Sequence, residues 1–393
     1  MICINILLYL SAIFFSFGQL GRISFFSQQV NLYAYELVLG LLLCNLVYRY
    51  WLTPIKQFVK KYRFTTIFLG YLFLSLLISS ITFSFFENLI ATMYYFRLVF
   101  YELIFCYITY LVKANPKIKV TIVRIIYFYI IVTIFTAGIQ YVFYPDLRNL
   151  NYMGWDEHYY RTFGLFFDAS VAGAVYGLLI IFIAFRIKER KSKIFHIILL
   201  FLLILIAVLT YSRSLYISFV LLGIYFLFMK LKQKKVPIIR YLLYLLLLAG
   251  LVFSIFSLIP KQKGEGVNLS RTYSIFSRVD DYKTALDIWI KNPIIGIGYN
   301  HIGSTKRKLN LLKAEQVGIN HAGNSFHSSY LIILVCGGII GLFLFIKSAY
   351  ELYRKFPGCG YCLLLIGLLS LSDNILLHQF VLFLLILLIS NSE

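Results

Sequence analysis

The sequence predicts an all-α integral membrane protein with about twelve transmembrane helices and a large extracytoplasmic loop that contains a short amphipathic helix. Of its 393 residues, 61% are hydrophobic and only 13% are charged, and the mean hydropathy is +0.83. Soluble proteins carry about 25% charged residues. Apolar runs of roughly 17–25 residues, the length that crosses a bilayer, also recur along the chain. The whole chain, 1–393, is therefore expected to form a single polytopic membrane domain.

Twelve apolar runs are interpreted as membrane spans, with ends uncertain by a few residues. They are 3–20, 31–48, 64–85, 89–111, 121–143, 163–185, 194–211, 214–229, 241–259, 326–346, 360–372 and 374–390. The last two are short and would also fit one re-entrant pair.

The distribution of charge predicts the orientation of these spans. A net charge of +21 could indicate a nucleic-acid partner, but the Lys and Arg residues cluster in short loops that alternate with nearly uncharged ones. Cytoplasmic loops of membrane proteins have this bias. The predicted cytoplasmic loops are 49–63, 113–124, 186–193, 230–240 and 347–355. Both termini are then cytoplasmic, the loop 260–325 between the ninth and tenth spans lies outside, and no nucleic-acid partner is expected.

Polar residues gather in two outer loops, 144–162 and 260–325. In the first loop, Trp155, Tyr159 and Tyr160 form an aromatic cluster beside Arg161. Trp and Tyr are common at the membrane–water interface, so the cluster fits an interfacial belt. It also fits a platform on which sugar rings stack.

Arg213 lies in a very short outer turn, TYSRS, between the seventh and eighth spans. An arginine held at the membrane is energetically costly and is usually paired or functional. Its guanidinium can form two parallel hydrogen bonds with a phosphate. A residue that only snorkels to the interface is the alternative.

A short amphipathic helix is predicted in the long loop, from a capping start at Ser277 to the sequence Asn292-Pro293. Its apolar positions recur at helical spacing: Val279, Tyr282, Ala285, Leu286, Trp289 and Ile290. The residue before a proline disfavours the helical conformation, so the helix should end there. Such a helix would lie flat on the membrane surface. The basic run 306–308 fits either a solvated face or contact with anionic lipid head groups.

Histidines 301, 321 and 327 also belong to this part of the chain. Their spacing fits no helix-borne pair of metal ligands, and no metal site is predicted. His327 directly precedes the tenth span, where Asn324 or Ser325 would cap the helix. It is interpreted either as a proton acceptor or as a structural histidine.

Four segments taken together resemble the O-antigen ligase and O-antigen polymerase superfamily, bacterial membrane glycosyltransferases that build cell-envelope polysaccharides such as lipopolysaccharide. These segments are RTFGLF from Arg161, TYSRS around Arg213, RVDDYKTAL from Arg278 running into NPIIGIG, and HSSYL from His327 followed by GGIIGL. The motifs cover about 160–346. The chain departs from the family at Ser328 and Asp168, where the family often has Asn.

The resemblance implies a GT-C-type helical bundle in the bacterial cytoplasmic (inner) membrane, with its active site on the extracytoplasmic side. The implied donor is a glycan on undecaprenyl pyrophosphate, and the acceptor is a sugar hydroxyl of a lipid-linked glycan (polymerase) or of the lipid A core (ligase). Transfer would invert the anomeric centre and need no metal or other cofactor. By position, Arg213 and Arg278 would bind the pyrophosphate and His327 would be the catalytic base. Arg161 is a third candidate for the pyrophosphate.

Two other classes remain open from the residues alone. A transporter or flippase of lipid-linked oligosaccharides would also have about twelve spans. Arg97 and Glu102 in the fourth span are its best supporting feature, although they lie five apart and a role in helix packing fits them equally well. A non-catalytic scaffold would not explain an arginine in the tight turn at Arg213.

Overall fold

A computed structural model describes residues 2–26, 29–146, 148, 159–187, 193–232, 273–311 and 325–392. Nearly all of its regular structure is helical. In chain order the helices are α1 (Ile2–Ser16), α2 (Ala34–Tyr50), α3 (Thr53–Lys61), α4 (Arg63–Ser79), α5 (Phe85–Ala114), α6 (Pro116–Phe143), α7 (Ala169–Arg186), α8 (Lys193–Val208), α9 (Arg213–Lys232), α10 (Tyr273–Lys291), α11 (Ile302–Lys308), α12 (Ser329–Lys355), α13 (Gly360–Leu369) and α14 (Gln379–Ser392). An antiparallel hairpin, β1 (Arg22–Phe25) with β2 (Val30–Tyr33), precedes α2.

The helices bear out the prediction of an all-α membrane protein. Among the described residues, six helices are long and apolar enough to cross a membrane, or seven if the bent pair α2 and α3 is counted as one span. Every predicted span overlaps a helix except 241–259, which lies outside the described residues. Several of the overlapping helices are short, so the number of spans stays a prediction.

Between α2 and α4 the structure differs from the predicted loop 49–63, because most of that segment is the helix α3. It bends by 96° from α2 and carries lysines in its last turn. Phe58 and Pro54 are buried while the lysines are not. This is the arrangement of an amphipathic helix at an interface.

The arginine in the fourth predicted span is part of a buried ion pair. Arg97 on α5 donates from Nε and a terminal nitrogen to both carboxylate oxygens of Glu36 on α2, at 2.7 and 2.6 Å. The Tyr101 hydroxyl donates to the same carboxylate at 2.7 Å. Because both carboxylate oxygens are hydrogen-bonded, this pair ties two helices together, as a packing role requires.

A break in α12 joins the long loop to the helical bundle. Gly338 has φ 63° and ψ −166°, so the helix is interrupted nine residues after its first. At about 1.5 Å per residue this is on the order of 14 Å along the helix axis. Segment 293–298, which follows α10, fills the break. Ile297 and Gly298 donate backbone hydrogen bonds to the carbonyls of Val335 and Cys336, both at 3.0 Å.

The remaining backbone groups of the break are also paired. Ile339 donates to the Pro293 carbonyl at 2.9 Å. Tyr71 on α4 donates to the Gly337 carbonyl at 2.8 Å, and the Ser75 hydroxyl lies 3.0 Å from the Cys336 carbonyl. Backbone groups inside a bilayer must be satisfied by protein. The glycines of NPIIGIG and GGIIGL therefore lie in one structure, called here the joint, in which segment 293–298 occupies the break in α12.

We expect Gly338→Ala to destabilise the protein by about 2–3 kcal/mol, because alanine disfavours positive φ and its Cβ would meet fixed backbone. That Cβ would lie 2.1 Å from the Ile294 carbonyl oxygen. Thermal unfolding in detergent measures the effect. Gly70→Ala on the neighbouring α4 is the control, since nothing lies within 4 Å of its Cβ. Equal melting temperatures for the two variants would contradict the proposal that the joint needs glycine at position 338.

Candidate active site

Helix α10 packs against α12 and brings the polar loop onto the bundle. Ala285 and Ile288 are fully buried in a small apolar cluster with Ile332 and Val335 of α12. The buried side differs in part from the predicted apolar face, since Val279 and Ile290 are 42% and 65% exposed. The reason is that α10 is held by α12 and by the segment in its break, contacts that the periodicity of α10 alone does not encode.

The predicted start of α10 is wrong. The helix includes Tyr273, so Ser277 lies inside it and does not cap it. Because α10 continues through Ser277, the residues Arg278, Asp281 and Tyr282 all fall in its middle turns. Residues three and four apart share one helix face. This face is directed at the start of α12 and at the turn 370–374.

His327 is paired with Asp281. The imidazole Nδ1 is hydrogen-bonded to Asp281 Oδ2, and the backbone N–H of His327 lies 3.3 Å from the same oxygen. The His327 side chain is 38% exposed and that of Asp281 is 13% exposed. No described residue is hydrogen-bonded to the imidazole Nε2. A neutral imidazole that donates from Nδ1 to a carboxylate presents Nε2 as a proton acceptor.

The hydrogen bond to Asp281 raises the pKa of His327, and burial opposes this rise. The negative charges of Asp281 and Asp373 add to it, and the positive charge of Arg278 reduces it. The imidazole is therefore more basic than a free histidine, whose pKa is about 6.5.

Ser328 fixes the start of α12 next to His327. Its hydroxyl accepts from the backbone of Leu331, which makes it the N-cap. The predicted cap at Asn324 or Ser325 is wrong for Ser325, because the helix begins only at Ser329, and Asn324 lies outside the described residues. The Ser328 side chain also lies 3.1 Å from the Ser370 carbonyl. Ser328, which stands where the family often has Asn, thus has a structural function in this chain.

Asp373 connects three helices around Arg278. Its Oδ1 lies 2.8 Å from a terminal nitrogen of Arg278 and 3.1 Å from the Ser170 hydroxyl of α7. Its Oδ2 accepts from Ser214 of α9 at 2.6 Å. The Asp373 side chain is almost completely buried, whereas Arg278 is 26% exposed. The ion pair uses one terminal nitrogen of a guanidinium that has five N–H donors, so Arg278 is anchored and still able to bind an anion.

Arg213 is the first residue of α9 and lies close enough to Arg278 for their positive charges to repel. Two like charges near one another at a membrane surface favour an anionic partner. Arg161 supports the turn before Arg213. It is buried, and its Nε donates to the Thr210 carbonyl at 2.7 Å. The structure thus brings Arg161, Arg213 and Arg278 into one region.

The tyrosines of the loop 144–162, which is predicted to lie outside, follow the C-terminal end of α6. The rings of Tyr159 and Tyr160 have centroids 4.5 Å apart, and the Arg148 guanidinium lies 4.3 Å over Tyr159. Trp155 lies outside the described residues. A sugar-binding function for these aromatic residues stays a prediction.

His301 occupies a second, separate position. It is fully buried and stacks on Phe83, with ring centroids 4.0 Å apart. Its Nε2 lies 3.1 Å from the side-chain oxygen of Asn88. Burial lowers the pKa of His301 to about 4. It ties the long loop to the turn between α4 and α5. Among the described residues, no group of three or more His, Cys, Asp or Glu side chains could hold a metal ion.

We expect the stability of the protein to fall between pH 6.5 and 4 because His301 is buried in its neutral form. The unfolded chain binds a proton below about pH 6.5, and the folded chain does so only near pH 4, so acid favours unfolding by at most about 3 kcal/mol. Melting temperatures at pH 7.5 and 5 measure this effect. His301→Gln should lose less stability over the same interval; an equal loss would contradict the assignment.

Part of this region of the chain is similar to a known protein family. Residues 198–346 match the O-antigen ligase family model, Wzy_C. The match confirms the resemblance to the O-antigen ligase and polymerase superfamily. It contains Arg213, Arg278 and His327 but not Arg161 or the tyrosines. No curated protein matches the chain.

The match, which covers residues 198–346 of the 393, supports a function of the O-antigen ligase or polymerase type at the level of the family. The family suggests a multi-pass membrane enzyme of the glycosyltransferase type that acts on lipid-linked glycans in polysaccharide biosynthesis. Three residues around the O-antigen ligase motifs were missed from the sequence: Asp281, Lys306 and Asp373. Asp281 carried a signal, because it lies in the RVDDYKTAL segment three residues after Arg278.

Proposed function

We propose that this protein transfers a glycan from an undecaprenyl-pyrophosphate donor to a sugar hydroxyl at the outer face of the bacterial cytoplasmic membrane, as a polysaccharide polymerase or O-antigen ligase. One observation carries the proposal: the Asp281–His327 pair and Arg278 come from one face of α10 and the start of α12. A base and an anion-binding cation are the two groups that this reaction needs.

His327 is the base in this proposal. The acceptor hydroxyl gives its proton to the imidazole Nε2 while its oxygen forms a bond to the anomeric carbon of the donor. The bond between that carbon and the pyrophosphate oxygen breaks, and undecaprenyl pyrophosphate leaves with the electron pair. Attack opposite the leaving group inverts the anomeric centre. Asp281 holds the ring and stabilises the imidazolium that forms, as a carboxylate does for a catalytic histidine.

Arg278 and Arg213 stabilise the leaving pyrophosphate. Charge builds up on the phosphate oxygens as the bond breaks, and arginine can meet two of those oxygens at once. Arg161 acts through the Thr210 carbonyl to hold the turn that carries Arg213. Arg278 and Arg213 together replace the charge that a metal ion supplies in other glycosyltransferases, so the proposed reaction needs no metal.

The long loop 260–325 is proposed to be extracytoplasmic, within a single membrane domain. Tyr159, Tyr160 and Trp155 are proposed to contact the sugars, and the glycan acceptor and membrane lipids are the remaining partners. A flippase remains the second candidate by the number of spans. Its main support is weakened, because Arg97 is held by Glu36 through two hydrogen bonds that tie α5 to α2.

The decisive experiment uses purified protein in liposomes with a lipid-pyrophosphate-linked glycan donor. We expect elongated or transferred glycan and one undecaprenyl pyrophosphate released per transfer, with the same rate in EDTA. A flippase would move donor across the bilayer without releasing pyrophosphate lipid. Loss of transfer in EDTA, restored by added Mg²⁺ or Mn²⁺, would overturn the metal-independent part of the proposal.

A further inference from the structure

Lys306 has an unusual environment for a residue in a basic run. The sequence fits a solvated run at 306–308, yet Lys306 is only 2% exposed. Burial lowers the pKa of its ammonium group, and the charge of Asp281 opposes this change. A lysine that is buried to this degree is rare unless it is paired.

The Lys306 ammonium contacts three groups around the Asp281–His327 pair. It donates to the Ser325 carbonyl at 2.7 Å, lies 3.7 Å from Asp281 Oδ1, and sits 4.2 Å over the ring of Phe326. The two carboxylate oxygens of Asp281 therefore have different partners: Oδ1 faces Lys306 and Oδ2 faces His327. Ser325 and Phe326 are the two residues before His327, so Lys306 holds both the backbone and the carboxylate that place the imidazole.

We propose that Lys306 is a positioning residue of the site, whose buried ammonium group sets the orientation and the charge state of His327 through Asp281. The inference rests on the proposed function only where it concerns turnover. The charged groups that act on His327 are Asp281 and Arg278 from α10 and Asp373 from the turn 370–374, and Lys306 from α11 contacts Asp281. Lys306 opposes the effect of Asp281 and so keeps the imidazole from becoming too basic to accept a proton near neutral pH.

Lys308 provides a matched control on the same short helix. Its ammonium also donates to a backbone carbonyl, that of Thr82, and lies 4.2 Å over the ring of Phe83. It therefore has the same two kinds of contact as Lys306 without a carboxylate of the site. Any effect common to both lysines comes from packing of the loop, and an effect of Lys306 alone comes from Asp281.

The experiment measures the pH dependence of turnover and, separately, of His327 itself. Diethylpyrocarbonate modifies neutral imidazole, and mass spectrometry of the His327 peptide gives its titration without any need for activity. For Lys306→Met we expect both the acidic limb of turnover and the His327 titration to move up by about 0.5–1 pH unit. Lys306→Arg and Lys308→Met should leave both in place. In an Asp281→Asn background, Lys306→Met should have almost no effect, because the two residues act together.

Lys306→Gln, which keeps a donor for the Ser325 carbonyl, replaces Lys306→Met if the latter does not fold. Lower turnover of the charge-removing variant at every pH, with an unchanged His327 titration, would overturn the proposal and leave Lys306 a structural residue. A shifted titration together with full activity of a His327→Ala variant would sustain the electrostatic inference while the base assignment fails. The two failures are therefore distinguishable.

Discussion

His327→Ala should lower the rate of glycan transfer by about 10²–10⁴-fold, the usual contribution of a positioned general base. Donor binding should survive, because the arginines that would hold the pyrophosphate remain. In the wild type, the rate should fall as the pH drops through the raised pKa of His327, since the protonated ring cannot accept a proton. The acidic limb therefore lies above pH 6.5, the ordinary value for histidine. Initial rates with a lipid-linked donor from pH 5 to 9 measure both effects.

Asp281→Asn is the informative companion to this variant. It removes the charge that raises the pKa of His327, so the acidic limb should move to lower pH while the maximal rate falls. His321→Ala, at a histidine outside the described residues, should have a much smaller effect. Turnover of His327→Ala at the wild-type rate and with the wild-type pH profile would show that His327 is not the base.

Arg278→Lys should reduce transfer by about 10²-fold or more, comparable to losing a donor to a developing anion. Lysine keeps the positive charge and can still pair with Asp373, so the protein should insert and accumulate normally. It lacks the planar fork that binds two phosphate oxygens. The same result is expected for Arg213→Lys. Single-turnover rates at saturating donor separate this defect from weaker binding.

Arg307→Lys is the control for this pair, because Arg307 lies on α11 outside the proposed site and should tolerate the change. If Arg278→Lys and Arg213→Lys both kept full activity, the guanidinium groups would not bind pyrophosphate. The ion pair with Asp373 would then be sufficient to explain Arg278 as a structural residue.

Apolar runs and a few polar positions were enough to predict most of the helices. Runs such as 121–143 are long and apolar enough to cross a membrane, and α6 covers that run. The positions of Arg213 and His327 at helix starts also follow from the sequence, since a polar residue next to a long apolar run marks an interface. These predictions need only neighbouring residues.

Partnerships between distant residues could not be predicted in this way. Asp281 and His327 are 46 positions apart, and Arg278 and Asp373 are 95 apart. No periodicity relates such pairs, because the fold alone brings them together. Lys306 was misjudged for the same reason: a run of three basic residues is usually solvated, but here α11 folds back and buries its fifth residue.

The interrupted helix α12 also has a consequence for the order in which the protein is made. The N–H groups of Ile297 and Gly298 donate to the carbonyls of Val335 and Cys336. The N–H groups lack these acceptors until α12 has been synthesised. Segment 293–298 leaves the ribosome first and must wait for residues 329–355. Since this joint places α10 beside His327, the proposed chemistry requires that residues 329–355 have already been synthesised and inserted.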